Sequence, residues 1–287
     1  MRGSDDMWVA LDRELSEWGR AGRAASLWWR DDDAVAASGA LSRLLALLGA
    51  FDVPLTLAVV PKRPGARLPS LHKAIAENPR VTPILHGYAH ANHARPGEKQ
   101  AEFGGHRLMS QMRDELSQGL ASLTAIFGAG LGKVLAPPWN RIGSEVLPHL
   151  PQLGFVGVTA FRPAATRCPA PGLVQTNCHI DPIDWQGGRA QRPSSEVLGE
   201  LVQLLRARRL FAVLRDGGTS AGMRLPAGFD PDEPTGILTH HLVHDEKGWE
   251  FLGRLLKVIG PHCKTGGAQW LSCADVFTIT RDAAQSV

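Results

Sequence analysis

The sequence lacks the cysteine patterns, long apolar runs and charge excess that define several classes of protein. Its four cysteines show no C-x-x-C spacing, which argues against a disulfide scaffold and a structural zinc site. Residues 1–25 include several acids where a signal peptide needs an apolar segment, and no apolar run reaches the roughly 18 residues of a membrane span. The 31 basic and 28 acidic residues give a net charge of only +3. We therefore expect a cytoplasmic protein that binds neither nucleic acid nor a membrane.

Short apolar runs alternate along the chain with amphipathic stretches of helical spacing. The runs predict buried strands at Leu27–Trp29, Leu55–Val60, Val81–Leu85, Lys133–Leu135, Phe155–Thr159, Leu173–Thr176 and Gly236–Thr239. The amphipathic stretches predict helices at Ala40–Ala50, Leu68–Glu77, Leu108–Phe127, Ser144–Leu150, Ser194–Arg209 and Lys247–Ile259. This alternation predicts an α/β fold with a parallel sheet inside helices. We favour a barrel of seven or eight strands over an open doubly wound sheet.

We expect a single domain over 1–287, because no low-complexity tract or long run of like charge divides the chain. The first 24 residues predict an amphipathic helix that caps the core. Its apolar residues are Trp8, Leu11, Leu15 and Trp18. Two stretches rich in glycine and proline, 95–105 and 216–234, predict loops beyond the strand ends, where a substrate-covering loop would lie.

Three adjacent acids, Asp31, Asp32 and Asp33, directly follow the first predicted strand. Neighbouring carboxylates repel one another and resist burial, so a bound cation would offset the cost of placing them there. The alternative interpretation is a solvated turn in which Asp33 caps the next helix.

Histidines follow two other predicted strands. His86 and His90 come after the third strand, and a spacing of four residues can direct two imidazoles toward one metal ion. His93 lies further on and could be a ligand, a residue behind the ligands or a surface residue. A second cluster, with His240 and His241, follows the last predicted strand.

Two further motifs lie near strand ends, Pro137–Trp139 with the neighbouring Arg141, and Asp184–Trp185. Prolines fix the backbone direction, and a tryptophan offers a flat apolar wall. The carboxyl ends of parallel strands meet at one edge of the sheet, where ligands bind in such folds. We therefore expect all of these clusters to lie together.

In order, an acidic pair, H-x-x-x-H, a Pro-Pro-aromatic motif, D-W and L-x-H extend roughly from Leu27 to Asp245. Together they resemble the NodB-homology polysaccharide deacetylases, carbohydrate esterase family four. The resemblance implies a distorted barrel, a divalent metal cofactor and a carbohydrate or other small-molecule substrate. Zinc is the expected ion, with cobalt or another divalent ion as the alternative.

The resemblance also implies roles for individual residues. Asp33, His86 and His90 match the family's metal ligands, and Asp32 matches its catalytic base. The register Asp31–Asp32 fits the acidic pair nearly as well.

Two positions depart from the family pattern. Ala136 stands where the family has an arginine that orients the base, and Gly87 stands where serine or threonine is usual. Arg141 or Arg30 could replace the missing arginine.

Later motifs supply the remaining implied residues. His240 matches the family's late histidine as general acid, with His241 as the alternative, and Asp184 matches the aspartate–tryptophan element. A backbone N–H near Trp139 could stabilise an oxyanion. The cleft is expected to be lined by Trp29, Trp139 and Trp185.

The sequence thus predicts a metal-dependent hydrolase that removes an acyl group, above all N-acetyl, from a carbohydrate or small amide. Water activated by the metal would be the nucleophile and Asp32 the base. One alternative is a metal-containing carbohydrate-binding protein with reduced turnover, and another is a hydrolase of non-sugar C–N bonds. The oligomeric state is left open.

Overall fold

The computed structural model describes residues 2–215 and 229–278, and within them the chain forms eleven strands and seven α-helices. The strands are β1 (Ala25–Ala34), β2 (Leu55–Val59), β3 (Val81–Leu85), β4 (Val134–Leu135), β5 (Gly157–Val158), β6 (Val174–Gln175), β7 (Cys178–Ile180), β8 (Ile183–Asp184), β9 (Ala190–Gln191), β10 (Thr235–Thr239) and β11 (Ala268–Trp270). The helices are α1 (Arg2–Arg20), α2 (Gly39–Phe51), α3 (Leu68–Ile75), α4 (Met109–Phe127), α5 (Ser194–Arg215), α6 (Glu246–Thr265) and α7 (Cys273–Val276). Most of the predicted loop at 216–234 lies outside the described residues.

Eight strands form one curled parallel sheet in the order β6-β5-β4-β3-β2-β1-β10-β7, and β11 pairs with the beginning of β1. The segment after β5 bonds back to β7 at the other end of this order. Cys178 N–H donates to Ala160 O at 3.0 Å, and Arg162 N–H donates to Cys178 O at 2.7 Å. These bonds join the two ends of the sheet, so the prediction of a distorted parallel barrel is confirmed. β8 and β9 form a separate antiparallel hairpin.

Side chains of β1 alternate between the inside and the outside of the barrel, as the pleat of a strand requires. Trp28 belongs to the apolar cluster formed by the inward residues of neighbouring strands. Leu27 and Trp29 belong to the larger cluster shared with the helices. Arg30 and Asp32 follow Trp28 in steps of two and therefore point into the barrel.

The expectation that Trp29 lines a cleft is wrong. Its side chain lies on the outward face of β1, where the indole N–H donates to Thr239 Oγ1 at 2.8 Å. The ring also packs near Trp270, with 6.3 Å between ring centroids. Trp29 is therefore part of the core between sheet and helices.

The end of β1 departs from regular pairing. Its register with β2 shifts between Asp31 and Ala34, and Asp33 has a left-handed backbone with φ of 71°. An inserted residue of this kind bends a strand and redirects the side chain beside it. Asp33 would face outward in a regular strand, but the irregularity places it in the same cavity as Asp32.

Three helix predictions differ from the structure. α5 continues past the predicted end at Arg209 to Arg215, and the other two differences involve prolines. The predicted helix at Ser144–Leu150 is replaced by the 3₁₀ turns Leu147–His149 and Pro151–Leu153, because each proline lacks an N–H for a regular helix. α6 was expected to stop before Gly260-Pro261, but it continues to Thr265. A proline removes only one hydrogen bond there, whereas the left-handed Gly266 supplies the actual helix end.

α1 packs its apolar stripe against the rest of the core. Trp8, Leu11, Leu15 and Trp18 are all buried. Buried Glu14 lies between them and accepts hydrogen bonds from Arg209 on α5 at 2.7 and 3.1 Å. None of the helices within the described residues combines the length and apolar character needed to cross a membrane.

A buried polar network joins β7, β10 and α5 beneath the sheet. Glu233 lies 3.1 Å from His179 Nε2 and 3.5 Å from Arg208 Nη2. The backbone N–H of Gly236 donates to His179 Nδ1 at 3.0 Å, so this nitrogen is an acceptor and the ring is neutral. Burial lowers the pKa of His179, and the donor facing Nδ1 opposes a second proton.

We predict that His179 contributes to loss of stability on acidification. The unfolded chain binds a proton at His179 near pH 6.5 while the folded chain does not, so lowering the pH favours unfolding. Between pH 7 and pH 5 this single group should lower the free energy of unfolding by at most about 2 kcal/mol. Urea denaturation at both pH values should show a smaller decrease in His179→Gln. The half-buried His149→Gln should behave like wild type, and an unchanged decrease in His179→Gln would contradict the assignment.

Candidate functional site

The carboxyl ends of the strands open onto a cavity of about 1010 Å³. The eight residues to which the resemblance assigned a catalytic or metal-binding role all line it, namely Asp32, Asp33, His86, His90, Trp139, Arg141, Asp184 and His240. The expected meeting of clusters at one edge of the sheet is therefore observed. The roles of the individual residues stay predictions.

Unusual backbone conformations concentrate around this cavity. Six of the seven non-glycine residues with positive φ in the described part of the chain line it. They are Asp33, His90, Trp139, Asn140, Arg162 and Arg189; the seventh, Asp52, ends α2. Each such residue costs of order 1–3 kcal/mol and persists where surrounding contacts hold it. This concentration favours a functional role for the same edge, independently of the residue types.

Three possible metal ligands converge in the cavity. Asp33 Oδ1 lies 3.2 Å from His90 Nε2 and 3.5 Å from His86 Nε2. One ligand atom from each residue lies within 4.8 Å of the others. Asp33 Oδ1 is buried and has no hydrogen-bond donor of good geometry among the described residues. The three atoms therefore form a pocket whose chemistry suits a divalent ion.

The tautomer of His86 also suits a metal ligand. Its Nδ1 lies 2.9 Å from the carbonyl oxygen of Ala136, which can only accept a hydrogen bond. Nδ1 therefore carries the hydrogen, and the lone pair of Nε2 faces Asp33. The backbone at Ala136 thus orients this ring.

The charges around the three residues favour a cation. Burial raises the pKa of Asp33, but the protonated form of His86 beside it, together with the charges of His90 and His240, outweighs burial and lowers the pKa well below its usual range. Burial lowers the pKa of His86, whereas the charges of Asp32 and Asp33 raise it above its ordinary value. Burial and the neighbouring His86 lower the pKa of His90 to about 4. The negative surroundings that attract a proton to His86 Nε2 would equally attract a metal ion.

Asp32 is held by a buried guanidinium from its own strand. Arg30 Nε lies 2.9 Å from Asp32 Oδ1, and Arg30 Nη2 donates to Asp32 Oδ2 at 3.0 Å. The remaining Arg30 donors contact Thr159 and Asn140. Burial lowers the pKa of Arg30, but the charge of Asp32 outweighs it and raises the pKa. This two-point contact fixes the orientation of the carboxylate.

The sequence left open whether Arg30 or Arg141 replaces the missing arginine. In the structure Arg30 is the one that contacts Asp32. Arg141 instead donates to the backbone oxygen of Gln100 at 2.9 Å. Ala136 is fully buried, and it contacts the site through its backbone oxygen, which lies 2.9 Å from His86 Nδ1. Within the described contacts, orientation of Asp32 by an arginine comes from β1 rather than from the Pro-Pro motif.

Asp31 faces away from the metal pocket. Its carboxylate accepts hydrogen bonds from Thr239 Oγ1 at 2.6 Å and from the His241 N–H at 3.0 Å, and it also contacts His241 Nδ1. Asp31 and His241 are therefore paired with each other and not with the residues of the cavity. This arrangement favours the register Asp32–Asp33, and it favours His240 over His241 at the cavity.

His240 lines the cavity beside an acid that the sequence analysis did not nominate. Its ring meets Trp185 edge to face, with 4.5 Å between centroids, and Trp185 Nε1 donates to Asp181 Oδ2 at 2.8 Å. Burial raises the pKa of Asp181, and the nearby His240 opposes this shift. Asp184 instead accepts the N–H groups of Gln186 and Gly187 and shapes the hairpin turn. The motif D-x-x-D-W could have revealed Asp181, since this first acid of the motif directly follows β7.

Glu102 is a second site residue that the sequence did not reveal. Its buried carboxylate accepts hydrogen bonds from the N–H groups of Tyr88 at 3.0 Å, Ala89 at 2.8 Å and Ala91 at 3.3 Å. It thereby holds the loop that carries His90. Glu102 lies in the stretch 95–105, where one of two acids in a glycine-containing loop gave no periodic signal.

The same carboxylate explains the glycine at position 87. A Cβ there would lie 2.0 Å from Glu102 Oε2 and 2.5 Å from Pro138 Cγ, and Gly87 has φ of 65°. A serine or threonine is therefore excluded both by space and by backbone conformation. Glu102 fills the place of a side chain at position 87.

His93 lies outside the pocket. It is exposed, and its backbone N–H donates to Ala101 O at 3.0 Å. The group of possible ligands contains Asp33, His86 and His90 without it. The structure therefore favours the surface interpretation of His93.

Several solved structures resemble this chain, and three of them are named as deacetylases or a carbohydrate esterase. The Bc1960 peptidoglycan N-acetylglucosamine deacetylase has a TM-score of 0.50 and 15% identity, covering 90% of each chain. A family 4 carbohydrate esterase from Streptomyces lividans has a TM-score of 0.48 and 16% identity, covering 87% of this chain and 91% of its own. The chitin deacetylase of Colletotrichum lindemuthianum has a TM-score of 0.48 and 15% identity, covering 90% and 88%.

At these identities the comparisons define the fold. The chain has the fold of the NodB-like polysaccharide deacetylases, as its motifs implied. No protein-family model matches the sequence, and no curated protein matches it at a significant level.

We predict that Glu102→Ala destabilises the protein through the histidine loop. Removing the carboxylate leaves buried N–H groups without acceptors, so the free energy of unfolding should fall by about 2–3 kcal/mol. Urea denaturation measures this loss. Glu77→Ala, at an exposed site, is the matched control, and Glu102→Gln, which keeps an acceptor oxygen, should fall between them. A loss in Glu102→Ala no larger than that of Glu77→Ala would show that Glu102 does not support the loop.

Proposed function

We propose that this protein is a metal-dependent hydrolase that removes an acyl group from a carbohydrate or small amide. The observation that carries the proposal is the convergence of Asp33, His86 and His90 beside Asp32, which Arg30 clamps. The solved structure with a TM-score of 0.50 is an N-acetylglucosamine deacetylase, which supports an N-acetyl amide as the bond cleaved. We also propose that the chain acts as one domain, because α1 and the sheet share one core cluster.

One carboxylate and two imidazoles suit a catalytic metal, since three protein ligands leave further positions open. Zinc is the proposed ion, because imidazole with carboxylate is a common ligand set for it, and cobalt is the alternative. When bound, a divalent ion supplies polarisation of the acyl carbonyl and a lowered pKa for water.

The residues around this pocket divide the proton transfers. Asp32 takes the proton of the attacking water, and Arg30 holds the carboxylate in one orientation. His240, on the opposite wall, gives a proton to the leaving amine, and Asp181 and Trp185 fix its surroundings. The backbone near Trp139 is the proposed oxyanion donor. Arg141 and Asp184 line the cavity without contacting these groups, so we assign them to substrate contact and loop shape.

The main alternative is a metal-containing carbohydrate-binding protein with reduced turnover. Its support in the sequence was Ala136, where an arginine is missing. Arg30 supplies the corresponding contact to Asp32, so this reason no longer favours loss of catalysis. A hydrolase of non-sugar C–N bonds would use the same groups, and product analysis distinguishes it.

We predict that the double variant His86→Ala/His90→Ala loses its divalent ion. Elemental analysis after dialysis against zinc should find about one ion per chain in wild type and little in the variant, because a single carboxylate binds zinc weakly. His93→Ala should keep the ion, since its ring lies outside the group. Full retention of the ion in the double variant would eliminate this site.

We predict that the zinc- or cobalt-loaded protein releases acetate from N-acetylated sugars. Asp32→Asn should keep the ion and lose roughly 100-fold or more in rate, because the amide cannot accept the water's proton. Asp114→Asn, at an exposed position on α4, is the control and should match wild type. Binding of the sugars without acetate release by the loaded protein would support the binding-protein alternative.

A further inference from the structure

The mouth of the catalytic cavity carries an unusual set of cationic side chains. Five arginines line it, and they come from loops that follow β2, β4 and β5 and from the β8–β9 hairpin. They are Arg63, Arg141, Arg162, Arg189 and Arg192. Because each loop rises from a neighbouring part of the sheet edge, the fold alone brings these charges together.

Two of these arginines are already matched with carboxylates. Arg192 pairs with Glu200 through two hydrogen bonds, at 3.0 and 2.5 Å. Arg63 lies 3.5 Å from Asp33. The guanidinium groups of both residues therefore already have carboxylate partners.

The other three make no ion pair within the described residues. Arg141 donates to a backbone oxygen, that of Gln100. Arg189 lies over the ring of Trp185 at 5.9 Å, and Arg162 is exposed at the end of the segment that closes the barrel. The guanidinium is a planar donor that binds carboxylates and phosphates through paired hydrogen bonds.

The acids that face the cavity do not neutralise this rim. Asp32 is buried and paired with Arg30, and Asp33 lies in the metal pocket. Asp181 is buried and holds Trp185, while Asp184 accepts backbone N–H groups in the hairpin turn. Asp32 and Asp181 are therefore buried while Arg162 and Arg189 are exposed. Asp184 is half-buried in the hairpin that carries Arg189, and it makes no ion pair with these arginines among the described residues.

Backbone conformation gives a second, independent observation. Arg162 and Arg189 have φ of 78° and 62°, in the left-handed region that long side chains seldom adopt. Glycine or asparagine would relieve this strain at either position. Strained residues that persist around a cavity indicate that the direction of the side chain matters there.

We propose that the acylated substrate carries an anionic group, a carboxylate or a phosphate, which Arg141, Arg162 and Arg189 bind at the mouth. The acyl group would then extend toward Asp32 and the metal pocket. This inference rests on the proposed function for the position of the acyl group, whereas anion binding is measurable without turnover.

Calorimetric binding of three sugars tests the proposal. The probes are N-acetylglucosamine 6-phosphate, N-acetylmuramic acid and neutral N-acetylglucosamine, so the first two distinguish phosphate from carboxylate. Wild type should bind at least one anionic sugar about tenfold or more tightly than the neutral one, with the difference shrinking as salt screens the charges.

The variant Arg141→Gln/Arg162→Gln/Arg189→Gln should reduce this preference to within about threefold. Any attraction of an anion to an ion at Asp33 is common to both proteins and cancels. Arg80→Gln, which removes a charge at the opposite edge of the sheet just before β3, is the control and should keep the full preference. The three single variants provide the same comparison if the triple variant does not fold, each with a smaller loss.

Equal binding of all three sugars by wild type, or an undiminished preference in the arginine variants, would overturn the proposal. Acetate release is scored separately. An arginine-dependent preference without any acetate release would leave the anion site standing and refute the hydrolase. Equal binding of neutral and anionic sugars, with equal acetate release from both, would refute the anion site and support the hydrolase.

Discussion

The irregular end of β1 is the constraint on which the site depends. Adjacent residues of a strand face opposite sides, so Asp32 and Asp33 could not both reach one cavity in a regular sheet. The register shift against β2 and the left-handed backbone at Asp33 turn the second carboxylate toward the histidines. One carboxylate can then serve as a base while its neighbour serves as a ligand.

The site also shows how a missing side chain can be replaced from elsewhere in the fold. Arg30 points into the barrel from β1 and reaches Asp32 where the family pattern would place an arginine at position 136. Glu102 approaches from a long loop and supports the histidine segment at Gly87, where a serine or threonine would be expected. In both cases a contact that the sequence motif appeared to lack is made by a residue outside the motif.

Much of the fold could be predicted from local sequence. All seven predicted strands formed, because short apolar runs bounded by turn residues suit the buried strands of a parallel sheet covered by helices. The errors at Ser144–Leu150 and at the end of α6 came from prolines, whose effect depends on the hydrogen bonds available around them. β11 was missed because its three residues carry too short a pattern.

The sequence by itself determined the parallel α/β architecture and the chemistry collected at its edge, since periodicity and residue type act locally. It could not determine which two of the three neighbouring acids face the cavity or which of the two histidines lines it. Those choices depended on the bulge in β1 and on the pairing of Asp31 with His241, more than 200 positions apart. Contacts between residues so distant in the chain exist only after the barrel has closed, and so only the tertiary structure decided them.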